Sequence, residues 1–242
     1  MKIVRYADRP DLRERRFEEL TQPTFPAYMN ENEPGNLYWD RLYTDFPDYQ
    51  VALVDGDDLL AEAHAIPLPW DGSLEDLPSG WDEGFVRGMT SDRPHNALMA
   101  IAISVAPSQQ GRQLSSRMIQ TFTDNARAAG LTNGVIAPVR PTWKERYPLI
   151  PIETYVEWRR ADGSHFDPWI RVHELVGGEI VAAAPRSMVI RGAAAEWSEW
   201  TGMAFPGDGE YVFPGCLATL VVEDGIGTHV EPNVWVLHRV PS

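Results

Sequence analysis

The stretch that most narrows what this chain can fold into is residues 96–130. Ala97 to Val105 is a nearly unbroken run of apolar and small residues, A-L-M-A-I-A-I-S-V. So short a run suits a strand covered on both faces better than a helix, which needs more turns. Pro107 ends it, because proline has no N–H to give to a ladder. The period then changes: Leu114, Met118, Phe122, Ala126 and Ala129 recur at helical spacing, and Gly130 is a natural C-terminal stop. Between the two lies the polar turn Gln109-Gln110-Gly111-Arg112-Gln113, leading into Leu114 and Ser115. The first N–H groups of a helix have no intrahelical partner and point outward together, which suits a phosphate or diphosphate.

The residues Val105-x-Pro107-x-x-Gln110-Gly111-Arg112-Gln113-Leu114-Ser115 resemble the acyl-CoA-binding motif of the GCN5-related N-acetyltransferase superfamily, Gln/Arg-x-x-Gly-x-Gly/Ala after a hydrophobic strand. Gln110 matches the first position, Ser115 stands at the Gly/Ala position, and Gln113 stands where the family usually has glycine. The resemblance implies an α/β fold: a central twisted mixed sheet, two parallel strands splayed apart, flanking helices, and acyl-CoA lying in the gap. It implies acetyl-CoA or another acyl-CoA as co-substrate and a small amine as acceptor. It places the cofactor contacts at Ile103, Ser104 and Val105, through their backbone, and at Gln110, Gly111, Arg112, Gln113, Leu114, Ser115 and Ser116.

The rest of the chain follows that order of elements. A first strand falls at residues 3–7, a helix carries Leu12, Phe17 and Leu20, and a proline-rich loop leads to a second helix starting at Asn36. Residues 50–54 and 59–68 form a hairpin across Asp55-Gly56-Asp57. Residues 67–94, with four prolines and Trp70 and Trp81, read as a long irregular cover over the cleft. Residues 133–139 supply the next buried strand. Residues 140–167 exceed the usual connection and read as an insertion that lines an acceptor or acyl pocket with Tyr147, Tyr155 and Trp158, packs on the sheet as a helical excursion, or does both. Asp167-Pro168 opens a helix that ends at Gly177-Gly178. Two strands around Pro185-Arg186 then read as the closing hairpin of the fold. An acyl-CoA-binding domain thus spans 1–191, and a β-rich extension, 192–242, packs on it, extends the sheet, covers the cleft or supports a homodimer.

Catalytic candidates come from position and from pairing. His173 occupies the place of the tyrosine in the family's late-helix pattern Tyr-x-x-x-Gly, so the resemblance makes it the acid toward the departing thiolate. Its other reading is a helix-face histidine beside a carboxylate. Glu62 and His64 share one face of a strand, either as an acid–base pair or as sheet surface, and His95 starts the central strand. General base candidates are therefore His95, Glu62 and His64.

Composition excludes other classes. The net charge of −14 and pI near 4.8 argue against nucleic-acid binding and are compatible with a cationic acceptor. One cysteine, Cys216, rules out an intramolecular disulfide framework and a multi-cysteine zinc cluster, and no metal site is expected. The N-terminus lacks an apolar leader and no apolar run approaches a membrane span, so the expectation is a cytoplasmic protein. There is no Gly-x-Ser-x-Gly, His-Glu-x-x-His or Walker A sequence. The family resemblance implies an acyl-CoA-dependent N-acyltransferase; the alternative is a non-catalytic relative that binds CoA as a sensor or scaffold.

Overall fold

The computed structural model describes residues 1–240. Its elements in order are β1 (Lys2–Arg5), α1 (Asp11–Arg16), α2 (Gln22–Thr24), α3 (Glu33–Asp45), β2 (Gln50–Asp55), β3 (Asp58–Leu68), α4 (Trp81–Thr90), β4 (Ala97–Val105), α5 (Leu114–Ala128), β5 (Val135–Val139), α6 (Ile152–Tyr155), α7 (Pro168–Leu175), β6 (Gly178–Ala193), α8 (Ala194–Thr201), β7 (Gly209–Tyr211), β8 (Leu220–Glu223) and β9 (Ile226–His238). A π-helical turn, Phe17–Thr21, joins α1 to α2.

The strands form one mixed sheet in the order β1-β2-β3-β4-β5-β9-β8-β7, with β6 paired to β9. β1 to β4 are antiparallel neighbours, whereas β4 and β5 run parallel. β9 serves β5 with residues 234–238 and β8 with residues 226–229, and β6 pairs along nearly its whole length. Residues from the expected extension therefore supply a strand in the middle of the sheet.

Helices cover both faces. On one, α5 seats Leu114, Met118, Phe122 and Ala126 against Ala61, Ala63 and Leu98. Burying each large side chain contributes about 1.5–3 kcal/mol. On the other face, Leu42 of α3 and Trp81, Phe85 and Met89 of α4 pack on Ile66, Met99 and Ile101. Asn32 caps α3 by accepting from Gly35 N at 2.9 Å, and Asp167 caps α7 by accepting from the amides of Trp169 and Ile170. Among the described residues no helix is long and apolar enough to cross a membrane.

Two local expectations change. The segment 67–94 is not all irregular, since it contains α4. The region 179–191 is not a hairpin: β6 is one continuous strand that bulges between Ala184 and Met188, where the register against β9 shifts. Pro185 cannot donate to a ladder, and the bulge accommodates it without turning the chain back.

Candidate functional site

β4 and β5 pair only at Leu98↔Val135 and Met99↔Ile136 and then part. β4 carries an extra residue there: His64 of β3 faces Ala102 while Ala65 faces Ala100, leaving Ile101 in a bulge. The Ile101 carbonyl accepts from the Trp81 indole at 2.9 Å. Two cavities lie beside the split and share Phe25 and Arg140 in their walls.

The larger, about 570 Å³, is the turn cavity. Ile103, Val105, Gln110, Gly111 and Gln113 line it, together with Leu114 and Ser115. The N–H groups of Gly111, Arg112 and Gln113 bond to no backbone carbonyl, and no side chain caps α5. Gly111 and Gln113 both have positive φ, +77° and +60°. A Cβ on Gly111 would meet nothing within 4 Å. Gln113 thus holds the left-handed backbone that glycine adopts freely, at a cost of about 1–2 kcal/mol. This donor set fits a diphosphate. Ser104, Arg112 and Ser116 do not line the cavity: Ser104 is buried opposite Glu62 with its hydroxyl unpartnered, and Arg112 donates to Gln109.

The smaller cavity, about 370 Å³, is walled by Trp39, Trp81, Phe25 and Met29, with Arg16 and Arg140 among its polar lining. Each arginine stands on a buried carboxylate. Arg16 donates from Nε to Glu62 Oε2 at 2.6 Å and from Nη2 to Glu62 Oε1 at 2.9 Å. Glu62 also accepts from Tyr6 Oη at 2.8 Å and Thr21 Oγ1 at 3.1 Å, and His64 Nε2 lies 3.0 Å away. Burial alone would raise the Glu62 carboxyl; His64 and Arg16 outweigh it and hold it well below the usual range. Arg140, directly after β5, donates from Nε to Glu231 Oε1 at 2.5 Å and from Nη2 to Gly215 O at 2.6 Å and Tyr28 Oη at 3.1 Å. Glu231 in turn meets His229 Nε2 at 2.6 Å. Burial would raise this carboxyl too, but Arg140 and His229 pull it down.

Of the residues singled out in the sequence, Glu62 and His64 do come together, as a fully buried network behind Arg16 rather than as sheet surface. His173 lines neither cavity. It is 3% exposed, packs edge-on against Trp169 and shares a 2.9 Å hydrogen bond with His238. Burial and the neighbouring His238 push it well below its ordinary value, so it stays uncharged near neutral pH. His95 packs near Phe46 and lines neither cavity. Tyr147, Tyr155 and Trp158 form an aromatic cluster with Phe166 on the β5–β9 face, with Tyr155 Oη donating to Asp167 at 2.8 Å. This part of the insertion is therefore a packed excursion whose three aromatic side chains line neither cavity because they pack on one another, whereas Arg140, Thr142 and Glu145 at its start do line the turn cavity. Neither arginine stands out in the sequence; the signal for Arg140 is its place directly after a buried strand, together with Glu231, a carboxylate just ahead of the apolar stretch V-W-V-L.

No protein-family model matches the chain. It is 31% identical over 271 aligned residues to the arginine N-acetyltransferase avaD of Aspergillus versicolor, covering 97% of this chain and 92% of that protein. Among solved structures, a GNAT-like decarboxylase, GphF, in complex with isobutyryl-CoA superposes with a TM-score of 0.62 at 16% identity, covering all of both chains. The loading GNATL domain of CurA from Lyngbya majuscula gives 0.54 at 16% identity, over 85% of this chain and 83% of that one. An aminoglycoside 6'-N-acetyltransferase complexed with coenzyme A gives 0.50 at 12% identity, over 100% and 98%.

Proposed function

The chain belongs to the GCN5-related N-acetyltransferase superfamily and transfers an acyl group from acyl-CoA to an amine; from that membership we propose that acyl-CoA enters by the turn cavity and a small amine of the arginine kind by the tryptophan-walled one. The observation that carries this is the meeting of the two cavities at Phe25 and Arg140, beside the β4–β5 split. A volume of about 370 Å³ suits a small molecule. The name of the similar protein, avaD, makes arginine the first acceptor to test.

In this reading the amides at 111–115 hold the diphosphate, and Ile103 and Val105 flank the carrier's arm. Acyl-CoA supplies the activated thioester; the protein supplies alignment and electrostatics. Glu62 already accepts from Arg16, Tyr6 and Thr21 and lies 3.0 Å from His64 Nε2, so it serves as the support of Arg16 and not as a free base. The acceptor's proton then leaves to water.

The test is a panel of amines, arginine included, incubated with acetyl-CoA and the purified protein. Free thiol is followed spectroscopically and products by mass spectrometry. Acylated arginine is the expected product. Turnover of other amines with arginine inert would overturn the choice of acceptor.

A further inference from the structure

Resting on the reading that the thioester and the amine meet where the cavities join, we infer that Arg140 is a catalytic residue that stabilises the departing CoA thiolate as a fixed cation, in place of a side-chain acid. Among the described residues it is the charged side chain that borders both cavities. Its Nε and Nη2 are taken by Glu231, Tyr28 and Gly215, while Nη1 has no partner among the described residues. Glu231 is fully buried and is itself held by His229, so the guanidinium cannot swing away. A planar guanidinium tied along two edges presents its third edge in one direction.

The chemistry calls for a charge here. The amine nitrogen bonds to the carbonyl carbon, the C–S bond breaks with its electron pair on sulfur, and the amine's proton passes to water. The sulfur then carries a full negative charge, and an ordinary thiol has a pKa of about 8.5. An acid that protonates it or a cation beside it would stabilise that charge as it forms. No Tyr, His, Cys or Lys among the described residues lines either cavity, and the acidic side chains that do, Asp40 and Glu145, are the wrong charge to receive a thiolate. His173, at the position the family resemblance gives to the acid, is sealed against His238. Arg140 cannot give up its proton but can pair with the thiolate through Nη1.

The test titrates the thiol of CoA bound to the protein, following thiolate absorbance in the ultraviolet, with no acceptor present. The wild-type protein is expected to raise the ratio of thiolate to thiol at a given pH at least about tenfold over free CoA. Arg140→Gln should return it to within about twofold of free CoA, and Arg140→Lys should keep part of the gain. Because Arg140→Gln strands Glu231, the double variant Arg140→Gln with Glu231→Gln removes both charges together and should titrate like the single one. A bound thiol that titrates like free CoA in the wild-type protein would overturn the inference, as would a Gln variant that binds CoA and titrates like wild type. A wrong choice of acceptor leaves the titration unchanged, whereas failure of the wild-type protein to bind CoA would overturn this inference and the cavity assignment together.

Discussion

Replacing Glu62 by glutamine removes one charge from a place that water does not reach. Glu62 is 0% exposed and Arg16 8% exposed. In the wild-type protein the carboxylate accepts from Arg16 twice, Tyr6 and Thr21, with His64 Nε2 3.0 Å away. Glutamine keeps one acceptor oxygen and turns an N–H₂ toward those donors, so at least one contact becomes donor against donor. The Arg16 charge also loses its counter-ion. Breaking a buried pair by removing one partner costs about 3–5 kcal/mol. For a chain of this size each kcal/mol moves the midpoint by about 2–4 °C, so Glu62→Gln should lower Tm by roughly 6–20 °C. Circular dichroism on heating at pH 7 measures this. The gap should shrink in acid. The folded pKa of Glu62 lies below its unfolded value, so its contribution is complete above the unfolded pKa of about 4.3 and fades as pH falls below it. Adding Arg16→Met to Glu62→Gln should recover part of the loss, because the stranded charge goes with it. A Tm within about 2 °C of wild type for the single variant would refute this account of the network.

Other consequences are as direct. His173→Phe should lower stability by about 1–3 kcal/mol through the stranded His238 while leaving turnover of the folded protein within about threefold of wild type; steady-state kinetics beside a urea melt separate the two. His238 is pushed down to about 4 by burial, so the unfolded chain takes up a proton first as pH falls. Between pH 6.5 and 4 the wild-type protein should therefore lose about 3 kcal/mol more than His238→Gln, measured by urea melts across that window. A Cβ on Gly80 would lie 2.0 Å from Ser187 Cα, so Gly80→Ala should push α4 off β6, lower Tm by several degrees and raise the acceptor KM through Trp81. Gln113→Gly should leave stability nearly unchanged, since relief of the positive φ is offset by a looser unfolded chain, whereas Gln113→Val should destabilise by about 1–2 kcal/mol and raise the KM for acetyl-CoA.

What the sequence disclosed was local. The strand, polar turn and helix of residues 97–128 were legible because period and punctuation change within a few residues of each other. The cap at Asp167 and the hairpin of β2 and β3 were legible for the same reason. α4 was hidden because Gly84 and Gly88 interrupt its pattern; both sit where a Cβ would strike Met99 or Ile66. β6 does not show as one strand in the sequence because its partner, β9, lies more than thirty residues downstream, and register over that distance leaves no local mark. The carboxylate behind Arg16 was visible as Glu62, but its burial was not. The face it occupies is set by a neighbouring strand and by the turn 17–21, and neither shows in the alternation of β3 itself.

The two walls of the acceptor cavity repeat one arrangement from unrelated parts of the chain. On β3 the pair is Glu62 and His64, and on β9 it is His229 and Glu231; a spacing of two puts each pair on one face. Each glutamate anchors an arginine and meets a tyrosine, Tyr6 on one side and Tyr28 on the other. Apolar residues of similar volume would fill these places at equal or lower energetic cost, since desolvating two charges offsets most of their attraction. Stability alone therefore does not account for them. What each set provides, and a hydrophobic plug would not, is a guanidinium edge held still at a cavity wall. Lysine would substitute only in part, because its ammonium moves on a flexible stem and lacks the planar fork that lets a carboxylate fix its direction. Arg16 borders the tryptophan-walled cavity and not the turn cavity. Arg140 stands at the junction, where the same rigidity serves the thiolate at the moment its charge appears.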